Sequence, residues 1–209
     1  EPNRPNEFRL LQIRPMKVAT SFEDVSIDEG DEDDVFCRSD QALGNGRIDG
    51  IRDIVFVGNE GFRRENMAGM AAEVGDYNAY FKQRQLPYML IGPGRWGSAD
   101  HWLGIPVSWA EISGVGAMIE TASEEIRAEP SQGSHFFQNL TSSGICYLTL
   151  QNDAHGFLRW DWLAKQASLT RTTYLRHIRL ALPLELYVDG KSSQGIIIDP
   201  AENVPEPAA

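Results

Sequence analysis

Cysteine is scarce in this chain of 209 residues. The two present, Cys37 and Cys146, lie far apart, which gives neither a disulfide framework nor a Cys-x-x-Cys metal site. They read as buried free thiols in a reducing compartment, so a cytoplasmic location is expected. Long apolar runs are missing too. Nothing reaches the roughly 18 consecutive apolar residues of a membrane-spanning helix, and no membrane partner is expected. Positive charge is in deficit: 19 Lys and Arg stand against 30 Asp and Glu, a net charge of -11. That balance argues against general nucleic-acid binding, which needs a basic footprint. It leaves room for a small anionic ligand held by a local arginine and a helix N-terminus. The opening residues Glu1 to Pro5 carry no basic and apolar pattern of a secretion signal. There is no phosphate-loop lysine motif, no full G-x-G-x-x-G, no calcium-loop spacing and no internal repeat.

What is present centres on residues 88–109. Tyr88-Met89-Leu90-Ile91 is apolar and reads as a buried strand. Gly92-Pro93-Gly94-Arg95-Trp96-Gly97-Ser98 then stops it. Glycine lets backbone N–H groups approach a ligand, and successive N–H groups in a turn can form an anion-binding concavity. Arg95 adds a permanently charged fork suited to phosphate or carboxylate. Gly92, Gly94, Arg95, Gly97 and Ser98 are therefore candidate anion-binding residues, placed where open α/β sheets hold ligands. Asp100 and His101 follow as acid/base candidates. The competing reading is a rigid corner pinned by Trp96 and Trp102.

The rest of the chain reads as an α+β domain, a mixed sheet with flanking helices, over residues 19–198. Val35–Asp40 and Asp53–Val57 are predicted strands, and Asn45-Gly46 between them predicts a hairpin or meander over 35–57. From Arg64 to Gln85, apolar residues Met67, Met70, Ala71, Val74, Tyr77 and Phe81 recur at helical spacing. With the Tyr88 strand this suggests a β-α-β unit. Ser108–Ile112 suggests a short helical turn, Val115–Glu120 a strand, Gly144–Leu150 a strand, and the end of Phe157–Leu163 a helix. Thr172–Leu180 alternates apolar with basic, predicting a half-exposed strand with Arg176, His177 and Arg179 available for a partner or for acidic neighbours. Leu184–Val188 and Ile196–Ile198 predict a final hairpin. The acidic run Asp28–Asp34 reads as an exposed loop, and residues 199–209 as a disordered tail.

A second informative stretch is Pro130-Ser131-Gln132-Gly133-Ser134-His135-Phe136-Phe137-Gln138-Asn139-Leu140. Ser134 suits a helix N-cap, which would put His135 in the first turn. The positive end of a helix attracts anions and favours a neutral, nucleophilic imidazole. Ser134 is thus an anion-binding candidate and His135 a phosphoryl-acceptor or acid/base candidate; a hydrogen-bonded structural histidine is the alternative.

Near the start, Leu11-Gln12-Ile13-Arg14-Pro15-Met16 resembles the last strand of the ATP-grasp nucleotide-binding domain in the phosphoenolpyruvate synthase and pyruvate phosphate dikinase family. The Gly92–Ser98 and Pro130–Leu140 stretches resemble the C-terminal region of a bacterial subgroup of that family. The resemblance covers most of residues 8–160. It implies that residues 1–18 close an upstream ATP-grasp domain, and that Gln12 and Arg14 contact nucleotide phosphates. It implies ATP and Mg as cofactors of the intact protein. It also makes this chain the C-terminal part of a larger ATP-dependent phosphotransferase, inactive alone. The family's phosphohistidine sits in a Thr-Ser-His-Ala-type motif of a separate domain, and only Ser-His is shared here, so that role does not carry over to His135. A different reading is a non-catalytic module that binds a small anion or a partner protein.

Overall fold

The computed structural model describes residues 34–58, 62–98, 100, 102–123, 140, 143–151 and 155–199. The strand expected at residues 8–16, most of the acidic run, the stretch 130–139 and residues 200–209 of the tail lie outside these; Asp199, expected to open a disordered tail, is buried, and its N–H donates to the Asp34 carbonyl at 3.1 Å. The strands are β1 (Val35–Ser39), β2 (Ala42–Leu43), β3 (Gly46–Val57), β4 (Tyr88–Pro93), β5 (Arg95–Trp96), β6 (Gly104–Ile105), β7 (Val115–Thr121) and β8 (Cys146–Leu150), followed by β9 (Gly156–Leu158), β10 (Ser168–Arg171), β11 (Leu175–Asp189) and β12 (Gln194–Ile198). The helices are α1 (Met67–Arg84), α2 (Trp109–Ile112) and α3 (Trp160–Lys165).

Ten strands form one mixed sheet in the order β2-β8-β7-β4-β3-β11-β12-β1-β9, with β10 added on β11. Its centre is parallel: β3, β4, β7 and β8 run the same way in chain order. Parallel strands are covered on both faces, and their sequences read accordingly as near-continuous apolar runs. All six residues of β4 and all five of β8 are buried.

The two-residue period of β3 divides two cores. Val55 and Val57 face the first, where Met67, Met70, Val74 and Phe81 of α1 pack with Leu90, Met118 and Tyr147. Ile54 and Phe56 face the second, with Met89, Ile91, Ile119, Leu148, Trp162 and Leu163. Each such side chain contributes roughly 2 kcal/mol by leaving water. The sheet curls until its margins meet. The Ala42 N–H donates to the Ser193 carbonyl at 2.8 Å, and the Ser39 hydroxyl donates to the Thr149 carbonyl at 2.8 Å.

The helix of residues 67–84 and the β3–α1–β4 unit form as the periodicity predicts. The hairpin expected over 35–57 does not. β1 pairs with β12 and β9, β2 with β8, and β3 with β4 and β11. Gly44 and Gly46 carry the chain across the sheet margin at φ 125 and 113, where a two-residue hairpin would have turned it back. Asn45 instead accepts the Gly190 N–H through its side chain at 3.1 Å. The basic strand is also longer than expected. β11 runs 15 residues through Pro183, which falls within a register irregularity against β3 between Arg179 and Leu184. His177, expected to meet either a partner or an acidic neighbour, takes the second role: it is 2% exposed on the face covered by α1 and lies 2.8 Å from the Asp53 carboxylate. The β11–β12 hairpin does form, with Asp189 opposite Gln194.

Candidate functional site

The C-terminal edge of the parallel strands carries the glycine-rich turn. β4 ends at Pro93, and Gly94 turns the chain at φ 72 while Gly97 turns it again at φ 76, a region L side chains rarely adopt. Between them Arg95 and Trp96 form β5, paired in parallel with Gly104 and Ile105 of β6. Trp96 folds back over the strand end. It is buried, its indole N–H reaches the Ile119 carbonyl at 3.5 Å, and its ring fills the space where a Gly92 side chain would stand.

The backbone donors of this turn are engaged within the chain. The Gly94 N–H donates to the Thr121 carbonyl at 2.9 Å, Arg95 to Leu103 at 2.9 Å and Gly97 to Ile105 at 2.8 Å. The Trp96 N–H donates to Oε1 of Glu120 at 2.8 Å. The turn thus holds a carboxylate, and that carboxylate is the protein's own.

Glu120 stands near the end of β7 and is 4% exposed. Burial pushes its carboxyl up to about 7; hydrogen bonds from Tyr147 and the Trp96 N–H, and the nearby charge of Arg95, pull in the opposite direction. The Tyr147 hydroxyl is pushed well above the usual phenol range by its burial and by Glu120, and it shares a hydrogen bond with Thr149. Gly94, Glu120, Thr121, Thr149 and Gln151 line a cleft of about 10 Å³, room for little more than one water-sized group. A larger ligand would sit at its mouth.

Sequence reading missed Glu120, Tyr147 and Thr149. The one local signal was an acid closing the apolar run Val115-Gly116-Ala117-Met118-Ile119. Of the residues it did select, Gly92, Gly94, Arg95, Gly97 and Ser98 share this edge. Asp100 shapes the next turn: its carboxylate accepts the Trp102 N–H at 2.9 Å, and its carbonyl accepts the Ser98 hydroxyl at 2.9 Å and the Leu103 N–H at 3.0 Å. Trp102 is 67% exposed, so it does not pin the corner as Trp96 does. Gln12, Arg14, His101, Ser134 and His135 lie outside the described residues. The segment that carries Ser134 and His135 joins the end of β7 to the start of β8.

Compared with protein-family models, curated proteins and solved structures, the chain matches none. Among the described residues, no helix is long and apolar enough to cross a membrane. Nor do three or more His, Cys, Asp or Glu side chains gather there as a metal-binding group.

Proposed function

We propose that this chain is the C-terminal part of an ATP-dependent phosphotransferase, and that the edge formed by Arg95, Glu120, Tyr147 and Thr149 serves the phosphoryl group. One observation carries the reading: the Gly92–Ser98 turn and the buried Glu120, to which the Tyr147 hydroxyl is hydrogen-bonded, stand at the same end of adjacent parallel strands. Phosphoryl transfer depends mainly on positioning and on stabilising spread negative charge. Arg95 would supply the charge. A carboxyl group titrating near neutrality, as burial makes Glu120, is suited to accept a proton from an attacking hydroxyl. Asp100, His101 and His135 remain the other acid/base candidates, and Ser134 a further anion donor.

The described residues do not make up a complete site for ATP and Mg. In this reading the metal is held by the nucleotide phosphates and by an upstream ATP-grasp domain, with Gln12 and Arg14 completing the nucleotide contacts.

A second reading has an observation of its own. The N–H groups of Gly94, Arg95, Trp96 and Gly97 are all bonded within the chain, which suits a stably folded interaction module. Titration calorimetry of the chain with phosphate, phosphoenolpyruvate and Mg-ATP at low salt separates the two. The phosphotransferase reading expects phosphate or phosphoenolpyruvate to bind, and Arg95→Ala to weaken that binding by about tenfold with little change in melting temperature. Binding unchanged by Arg95→Ala, accompanied by a large loss of stability, would overturn the assignment and favour the module.

A further inference from the structure

A second concavity lies away from this edge, between α1 and the β10–β11 hairpin. Its volume is about 500 Å³, and Asp76, Tyr77, Tyr80, Leu169, Thr170 and His177 are among its lining residues. Helical spacing brings Glu73, Asp76, Tyr77 and Tyr80 to one side of α1. Its walls include Tyr80, 39% exposed, and Leu169, 57% exposed, two of the most exposed large apolar side chains among the described residues.

Its floor is a hydrogen-bonded chain. His177 Nε2 lies 2.8 Å from Oδ1 of the buried Asp53, and Nδ1 lies 3.3 Å from the Thr170 hydroxyl, which is 2.9 Å from the Tyr77 hydroxyl. Arg179 lies 3.8 Å from the other Asp53 oxygen. The rim is acidic. Glu73 is fixed by the Thr172 hydroxyl and by the N–H groups of Thr173 and Tyr174, at 3.1 and 3.0 Å, all uncharged donors. Asp76 is exposed beside it.

We propose that this groove binds a small organic cation, a protonated amine carried on a flat apolar body. The volume suits one such molecule, and mostly apolar walls with a few convergent polar groups are the usual make-up of a ligand site. The Tyr80 and Leu169 walls bury the body. Glu73 and Asp76 compensate an ammonium group and repel a carboxylate. The hydroxyl oxygens of Thr170 and Tyr77 can accept hydrogen bonds from it. The Tyr80 ring already takes a cation on its face: the Arg84 guanidinium stands 3.8 Å from the ring centroid.

Calorimetry of the chain at low salt with tryptamine, tyramine, 3-ethylindole and indole-3-propionate tests this. One of the amines should saturate a single site, and indole-3-propionate should bind at least about tenfold more weakly because its carboxylate meets the acidic rim. Asp76→Asn should weaken amine binding by about threefold, as expected for an exposed charge, and Leu169→Ser should weaken it as well. Both positions are exposed, so melting temperatures should stay close to wild type. No saturation by either amine at millimolar concentration, equal binding of the carboxylate, or amine binding unchanged in both variants would overturn the proposal.

Discussion

The Trp96 backbone N–H donates to the Glu120 carboxylate at 2.8 Å, across 24 residues of chain. This bond ties the glycine-rich turn after β4 to the end of the neighbouring strand β7. It sets the position of Arg95, the residue immediately before Trp96, and so joins the fold to the proposed phosphoryl site.

The burial of Glu120 has a pH signature. The Glu120 carboxyl titrates at about 7 in the folded chain against an ordinary 4.5, because burial disfavours its ionised form. A raised carboxyl binds more protons folded than unfolded between these values, so stability falls as pH rises through that window. The fall should be about 3 kcal/mol by pH 8. Urea unfolding at pH 4.5 and pH 8 measures it. Glu120→Gln should remove this component, so that the variant gains on wild type as pH rises; a stability difference independent of pH would refute the assignment.

Gly104 is where β6 meets β5. A side chain there would place its Cβ 1.8 Å from the Arg95 carbonyl oxygen and 2.4 Å from the Arg95 nitrogen, both backbone atoms that cannot swing aside. Gly104→Ala should therefore cost about 3 kcal/mol, at the upper end for an overpacked site. Chemical denaturation with Trp96 fluorescence would read both the loss and the opening of the turn.

Asp53 and His177 form a buried pair linked at 2.8 Å. Asp53→Ala leaves the imidazole without its partner and should cost about 3 kcal/mol. Asp53→Asn keeps an acceptor oxygen and should cost less. In a double-mutant cycle with His177→Gln the two changes should couple by about 1 to 3 kcal/mol. Additive effects would mean that the pair carries no mutual energy.

Helix α1 ends on Gln85 at φ 54, a left-handed cap conformation, with the Leu86 N–H bonded back to the Phe81 carbonyl at 3.1 Å. Glycine adopts that conformation without a Cβ penalty. Gln85→Gly should raise stability by about 0.5 to 1 kcal/mol, seen as an upward shift of the thermal midpoint. A fall would show that the glutamine side chain contributes more than its backbone strain removes.

Local sequence determined the pieces. Apolar spacing marks α1, the unbroken run Tyr88–Ile91 marks a central strand, and Gly92–Ser98 marks a sharp stop, because these patterns depend on periods of a few residues and on the φ freedom of glycine. The candidate turn was legible for the same reason. Tertiary structure alone decided which strands pair: the Asn45-Gly46 hairpin signal yielded to pairing of β1 with β12, some 160 positions away, because that arrangement closes the curled sheet and buries Phe36, Cys37 and Ile197 together. It also decided which polar groups go inside. An acid closing an apolar run is the one local hint at Glu120, and neither it nor Asp53 has its compensating partners nearby in the chain: Trp96, Tyr147 and His177 lie 24, 27 and 124 residues away. Burial of a charge is settled by what the fold brings to meet it, and sequence neighbours carry no record of that.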